Sequence, residues 1–143
     1  MLLPDVNVLV YAHREEAPEH VAYADWLSRV AGGPAPFALS PLVLSGFLRV
    51  VTNPRVFKQP TPQATALDFV DHLCKVPTSR VLLPGPANLA IFLRLCRESG
   101  ATGKLVADAY HAALAVEHGC ELVTADADFS RFPGLRWRHP LRP

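Results

Sequence analysis

Apolar positions along this chain follow two rhythms. Brief runs such as Leu2-Leu3, Phe37-Ala38-Leu39, Val81-Leu82-Leu83 and Leu122-Val123 are too short for helices and read as buried strands. Between them, apolar residues return at helical spacing, as in Val21, Ala24, Leu27 and Val30, or Leu67, Val70, Leu73 and Cys74. The pattern predicts strands over 1–4, 37–39, 80–83 and 121–124, with an edge strand over 135–137. It predicts helices from about Val6, over 17–31, from Pro41 to Val51, from Thr61-Pro62 to Val76, over 87–99 and over 104–118. Pro41 suits a first helical turn, Asn53-Pro54 stops the third helix, and Gly100 and Gly119 close the last two. GGPAP (32–36), QPTP (59–62) and PGP (84–86) read as short loops, and no internal repeat interrupts the alternation.

Strands alternating with helices imply an α/β fold with a parallel sheet covered on both faces. The length of 143 residues fits one domain spanning 1–143. Half the residues are hydrophobic and 19% are charged, which supports a packed core. No apolar run approaches the ~18 residues of a membrane span, so no membrane association is expected. The N-terminus lacks the basic region and cleavage site of a secretory signal. Cys74, Cys96 and Cys120 form no CxxC pair and read as small core residues, and the cytoplasm is the expected location. The net charge is only +1, but its distribution is uneven. No acid falls between Asp25 and Asp68, where Arg29, Arg49, Arg55 and Lys58 lie, and none follows Asp128, where four arginines lie. Such runs suit either a solvated surface or a phosphate-bearing partner.

The acids point to chemistry. Parallel α/β folds place ligands outside the carboxyl ends of their strands. Asp5 follows the first strand, Asp126 and Asp128 follow the strand 121–124, and Asp108 lies in the first turns of the preceding helix. All four are therefore expected at one edge of the sheet, where their mutual repulsion calls for a cation. Oxygen-only ligands suit Mg²⁺ or Mn²⁺. Each acid also has a local reading: Asp5 as a helix cap, Asp108 as a partner of its helix dipole, Asp126 as an Asx turn. Asn7 and Thr124 either support the pocket or close local turns. His111 and His118 read as surface or packed histidines. Nucleotide-cradling glycine loops and a GxSxG elbow are absent from the sequence.

The segments DVNVLVYA (5–12), His20 before AYADWL, SPLVLSGFLRVVTNPRVF (40–57), LVADAYHAALAVEHGCELVTADADF (105–129) and FPGLRW, in this order, carry a resemblance. Together they resemble the PIN-domain nucleases, and more closely the VapC toxins of bacterial toxin–antitoxin pairs, in a mycobacterial-type branch. The resemblance implies a three-layer α/β/α sandwich around a parallel sheet. It also implies Mg²⁺- or Mn²⁺-dependent endoribonuclease activity on structured RNA such as tRNA or rRNA, a VapB-type antitoxin as partner, and a homodimer. It carries the family's acids onto Asp5, Asp108, Asp126 and Asp128. The first three would hold metal, and Asp128 would help activate water. Gly46 stands where many relatives carry Glu, at a position expected to face the acids. Arg49 and Asn53, near the end of the same helix, read either as RNA contacts or as ordinary surface. Two rival readings follow: an aspartyl-nucleophile phosphatase, and a catalytically weak PIN domain that binds RNA or its partner.

Overall fold

A computed structural model of the chain describes residues 1–142. Five short strands, β1 (Leu2–Pro4), β2 (Phe37–Leu39), β3 (Ser79–Val81), β4 (Glu121–Val123) and β5 (Trp137–Arg138), form one sheet in the order β3-β2-β1-β4-β5. Every pairing is parallel, with Leu2 opposite both Phe37 and Glu121. Six helices link them: α1 (Val6–His13), α2 (His20–Gly32), α3 (Pro41–Val51), α4 (Gln63–Lys75), α5 (Asn88–Ser99) and α6 (Lys104–Glu117).

The period of two in the strands divides the core. Phe37, Leu39 and Val123 pack with α1–α4 on one face. Leu3, Ala38 and Leu122 pack with α5 and α6 on the other. This is the parallel sheet covered on both faces that the alternation implied, in the three-layer α/β/α arrangement that the resemblance implied. Ala109, Ala112, Ala113 and Ala115 are fully buried, so α6 lies close against the sheet. Gly100 and Gly103 adopt φ of +66° and +57°, a region open to glycine, and turn the chain from α5 into α6.

Several boundaries differ from the sequence reading, each for a local reason. Helix α2 starts at His20, after Glu19 takes φ 59°. Helix α4 starts at Gln63 because the Thr61 amide is spent on Val51 O at 2.8 Å. Strand β3 begins at Ser79, and β5 covers Trp137–Arg138 in place of 135–137. A 3₁₀ turn over Ala127–Arg131, which the sequence pattern did not predict, follows β4.

The chain runs β1→β2→β3 toward one edge and then returns to β4→β5 on the other side of β1. The strand order therefore reverses between β1 and β4, the crevice where such folds place ligands.

Candidate active site

Asp5 leaves β1 with its amide bonded to Val123 O of β4 at 2.9 Å, so the carboxylate stands at the joint of the two central strands. It caps α1: Oδ1 accepts from the Val6 amide at 2.7 Å. Its other oxygen accepts from the Thr124 hydroxyl at 2.8 Å and from Asn7 Nδ2 at 3.1 Å. The capping role and the site role thus belong to the same side chain. Thr124, fully buried, also accepts from the Asp126 amide at 3.1 Å, and Asn7 Oδ1 accepts from the Ala125 amide at 3.1 Å. Asn7 and Thr124 therefore do both things the sequence left open: they close the turn after β4 and fix the Asp5 carboxylate.

Asp5, Asp108 and Asp126 line one cavity of about 430 Å³. Asp128 does not. Its amide donates to Asp126 Oδ1 at 2.9 Å, the Asx geometry that the TADAD sequence suggested, and the 3₁₀ turn carries its carboxylate outward beside Arg131. The structure therefore brings together three of the four acids.

Lys104 completes the cluster, and the sequence reading missed it. Its ammonium donates to Asp126 Oδ2 at 3.1 Å and to Asp108 Oδ2 at 3.4 Å. The available signal was its place four residues before Asp108 on one helix. Burial pushes the Asp108 carboxyl above the usual range, against the pull of Lys104, with Asp126 and Asp5 adding to the upward push. Burial also works against the Asp126 carboxylate, but the Asp128 amide and Lys104 outweigh it, and its pKa lies below the ordinary value. The hydrogen bond to Asp126 raises Lys104 in turn. His111, one turn after Asp108, also lines the cavity. Burial lowers its pKa against the fields of Asp5 and Asp108, which favours the neutral imidazole. His118 instead meets Leu83 O at 2.8 Å, away from the site. Among the described residues, no three His, Cys, Asp or Glu side chains form a ready-made metal cage.

The rest of the cavity is of another kind. Val10 and Tyr11 of α1, Arg49 and Val50 of α3, and Val56 and Phe57 of the loop after α3 line it. Asn53 does not; its Oδ1 accepts from the Arg55 amide at 2.9 Å and shapes that loop. Gly46 also stays out of the cavity. It is buried where α3 crosses α1, and a Cβ there would lie 2.7 Å from Val6 Cγ2. Val6 itself lines the cavity, so the expectation that position 46 faces the acids does not hold: the Val6 side chain stands there instead.

The PIN domain family model matches residues 2–135. The chain is 46% identical over 141 residues to the VapC ribonuclease Mb2897 of Mycobacterium bovis, covering 99% of this chain and 96% of that protein. It is 41% identical to ribonuclease VapC25 of Mycobacterium tuberculosis, covering 98% and 99% of the two chains. Among solved structures, it superposes on VapBC2 from Rickettsia felis, bound to a promoter DNA fragment, with TM-score 0.71 at 18% identity, covering 96% and 97% of the chains. Mycobacterium tuberculosis VapC20, a sarcin-ricin loop cleaving toxin, gives TM-score 0.68 at 16% identity, covering 95% and 99%. At such identities the two superpositions speak for the fold.

Proposed function

The chain belongs to the PIN-domain family, among the VapC toxin endoribonucleases; on that premise we propose that it hydrolyses phosphodiester bonds of structured RNA, tRNA or rRNA, with Mg²⁺ or Mn²⁺ held by Asp5, Asp108 and Asp126. The observation that carries this reading is the convergence of those carboxylates, from the ends of β1 and β4 and from α6, on one cavity at the switch point of the sheet. The same reading gives the toxin a VapB-type antitoxin as partner and a homodimeric state.

The donor set fits the metal. All three side chains offer hard oxygen, and Mg²⁺ takes one or two carboxylates while keeping several waters, so a closed cage is not required. The raised Asp108 and the ammonium between Asp108 and Asp126 both mark a demand for positive charge. Lys104 is 74% exposed and can swing aside. When bound, the cation would supply charge neutralisation at the phosphate and a water of lowered pKa. Thr124 and Asn7 hold the Asp5 carboxylate in one orientation. Asp128 acts in this reading through its amide, which fixes Asp126, and not through its carboxylate.

Purified protein incubated with tRNA and rRNA tests the reading. Cleavage should require Mg²⁺ or Mn²⁺, stop in EDTA, return on adding metal, weaken as salt rises, and be lost in Asp5→Asn. Cleavage undiminished by EDTA and by Asp5→Asn would overturn it. RNA binding without cleavage under any metal would favour the non-catalytic module.

A further inference from the structure

The cavity is larger than a hydrated cation needs and falls within the range of small-ligand sites, at about 430 Å³. Beyond the acids the lining is largely apolar, and Val56, 53% exposed, is part of it. Phe57 is half-buried against the core and carries one guanidinium over its ring. Arg14 lies over its ring at 4.1 Å from the centroid, donates to Gln59 O at 2.9 Å and to Thr61 Oγ1 at 3.1 Å, and pairs with Glu16. With a side chain only 12% exposed, Arg14 is committed to this loop and is not a surface cation. Around the wall, Arg49, Arg55 and Lys58 are exposed and pair with no carboxylate among the described residues.

An aromatic ring flanked by unpaired cations is the chemistry that receives single-stranded nucleic acid: the ring takes a base and the cations take phosphates. We propose that Val56 and Phe57 form a subsite for an unpaired nucleobase next to the scissile phosphate, that Arg49 takes the adjoining phosphate, and that Arg14 is the positioning residue that holds Phe57. The proposal rests on the ribonuclease reading and names a specificity element for it. The free cations favour RNA over an apolar protein helix as the occupant of this wall.

The test compares binding of a short fluorescein-labelled single-stranded RNA with the same strand carrying an abasic site, by anisotropy in EDTA. The ratio of the two affinities cancels repulsion by the acids. The intact protein should prefer the base-bearing strand roughly tenfold or more. Phe57→Leu and Phe57→Ala should lose that preference, and Phe57→Tyr should keep it. In cleavage assays Phe57→Leu should raise KM with little change in kcat. Arg14→Met should raise KM in the wild type and add nothing in Phe57→Ala, because it acts through the ring. Thermal melts of each variant check folding, and Phe57→Leu preserves most of the buried volume. Equal binding of the two strands by the wild type, with cleavage intact, overturns the subsite alone. Failure of the wild type to bind or cleave either strand, or any structured RNA, overturns the ribonuclease reading with it. Loss of antitoxin affinity in Phe57→Leu with an unchanged base preference would make the wall a protein-docking surface and also overturn the proposal.

Discussion

The two sides of the cavity are built on different principles. The acid side is anchored in the backbone of the central strands: Asp5 is tied to Val123, Val6, Asn7 and Thr124, and Thr124 is tied to Asp126. Asp5 and Asp108 are only 6% and 8% exposed. The facing side is carried by Val10 and Tyr11 of α1, the end of α3 and the loop after it, where Phe57 packs on the core under the Arg14 guanidinium. Groups that must meet a reacting centre within a fraction of an ångström are best fixed by strands and buried hydrogen bonds. Groups that choose among partners are usually placed on loops, which vary without disturbing the scaffold. On the proposed reading, chemistry belongs to the first side and selection to the second.

The sharpest way to break that division is at Thr124. Its hydroxyl donates to Asp5, and its oxygen accepts from the Asp126 amide and from Asn7 Nδ2 at 3.2 Å. Thr124→Val keeps the shape and strands these partners in a buried place. The expected cost is about 1–3 kcal/mol of stability. Cleavage should fall roughly ten- to hundredfold, because residues that orient metal ligands carry effects of that size. The loss should appear in kcat, whereas changes at Phe57 appear in KM. Chemical denaturation with steady-state kinetics on the same preparation separates the two effects. Thr124→Val with full kcat would mean that Asp5 holds its orientation without the hydroxyl, and the division would fail.

The same contrast explains what could be read from the sequence. Asp5, Asp108 and Asp126 were legible because strand ends are local features and the rule for parallel sheets converts them into a place. The five strands and six helices were legible for the same reason, since their periods and stop signals are local. Asp128 was grouped with the others because the pattern could not show that its amide would bond Asp126 and turn its carboxylate outward. Phe57 and Arg14 were hidden because their meeting depends on a loop path across more than forty residues of sequence. Gly46 was expected to face the acids, yet it is a contact: at the helix crossing a Cβ there would lie 2.7 Å from Val6 Cγ2, so Val6 would have to shift. A pattern along one chain does not show which partner a missing side chain makes room for.

Gly46 sits where the two sides are joined, since α1 carries Val6 from the acid side and α3 leads into the facing loop. Gly46→Ala places a methyl 2.7 Å from Val6 Cγ2. Overpacking costs typically about 1–3 kcal/mol, and the gain in helix propensity returns about 0.5–1 kcal/mol, for a net loss of about 1 kcal/mol. Adding Val6→Ala should recover part of that loss, a coupling that a double-mutant cycle on denaturation midpoints reads directly. A neutral or stabilising Gly46→Ala would mean that the crossing is looser than the contact indicates. Gly46→Glu would meet the same obstacle, so any added metal affinity in that variant requires Val6 to move first.

The smallest expected effect lies at Lys104, which touches only the acid side. Its side chain is largely exposed, and exposed pairs contribute about 0.2–1 kcal/mol. The pH dependence is more telling than the size. Asp126 has its pKa held below the ordinary value, in part by Lys104, so it contributes stability above the ordinary Asp range that is lost as pH falls through its folded pKa. Asp108 has its pKa raised by burial, so its ionisation costs stability, and that cost is relieved as it takes up a proton on acidification. Lys104→Met removes the cation from both, which raises both carboxyls further. The wild type should therefore exceed the variant in stability at neutral pH, with the gap starting to close above the ordinary Asp range, where Asp108 takes up its proton, and closing fully below it, where Asp126 does. Thermal melts in EDTA across that range follow the gap. The Phe57 base preference should not change in Lys104→Met, since among the described residues the ammonium bonds only Asp108 and Asp126. A gap that stays constant with pH would show that Lys104 does not couple to either acid in solution. Loss of base preference in the same variant would show that the two sides of the cavity do not act separately.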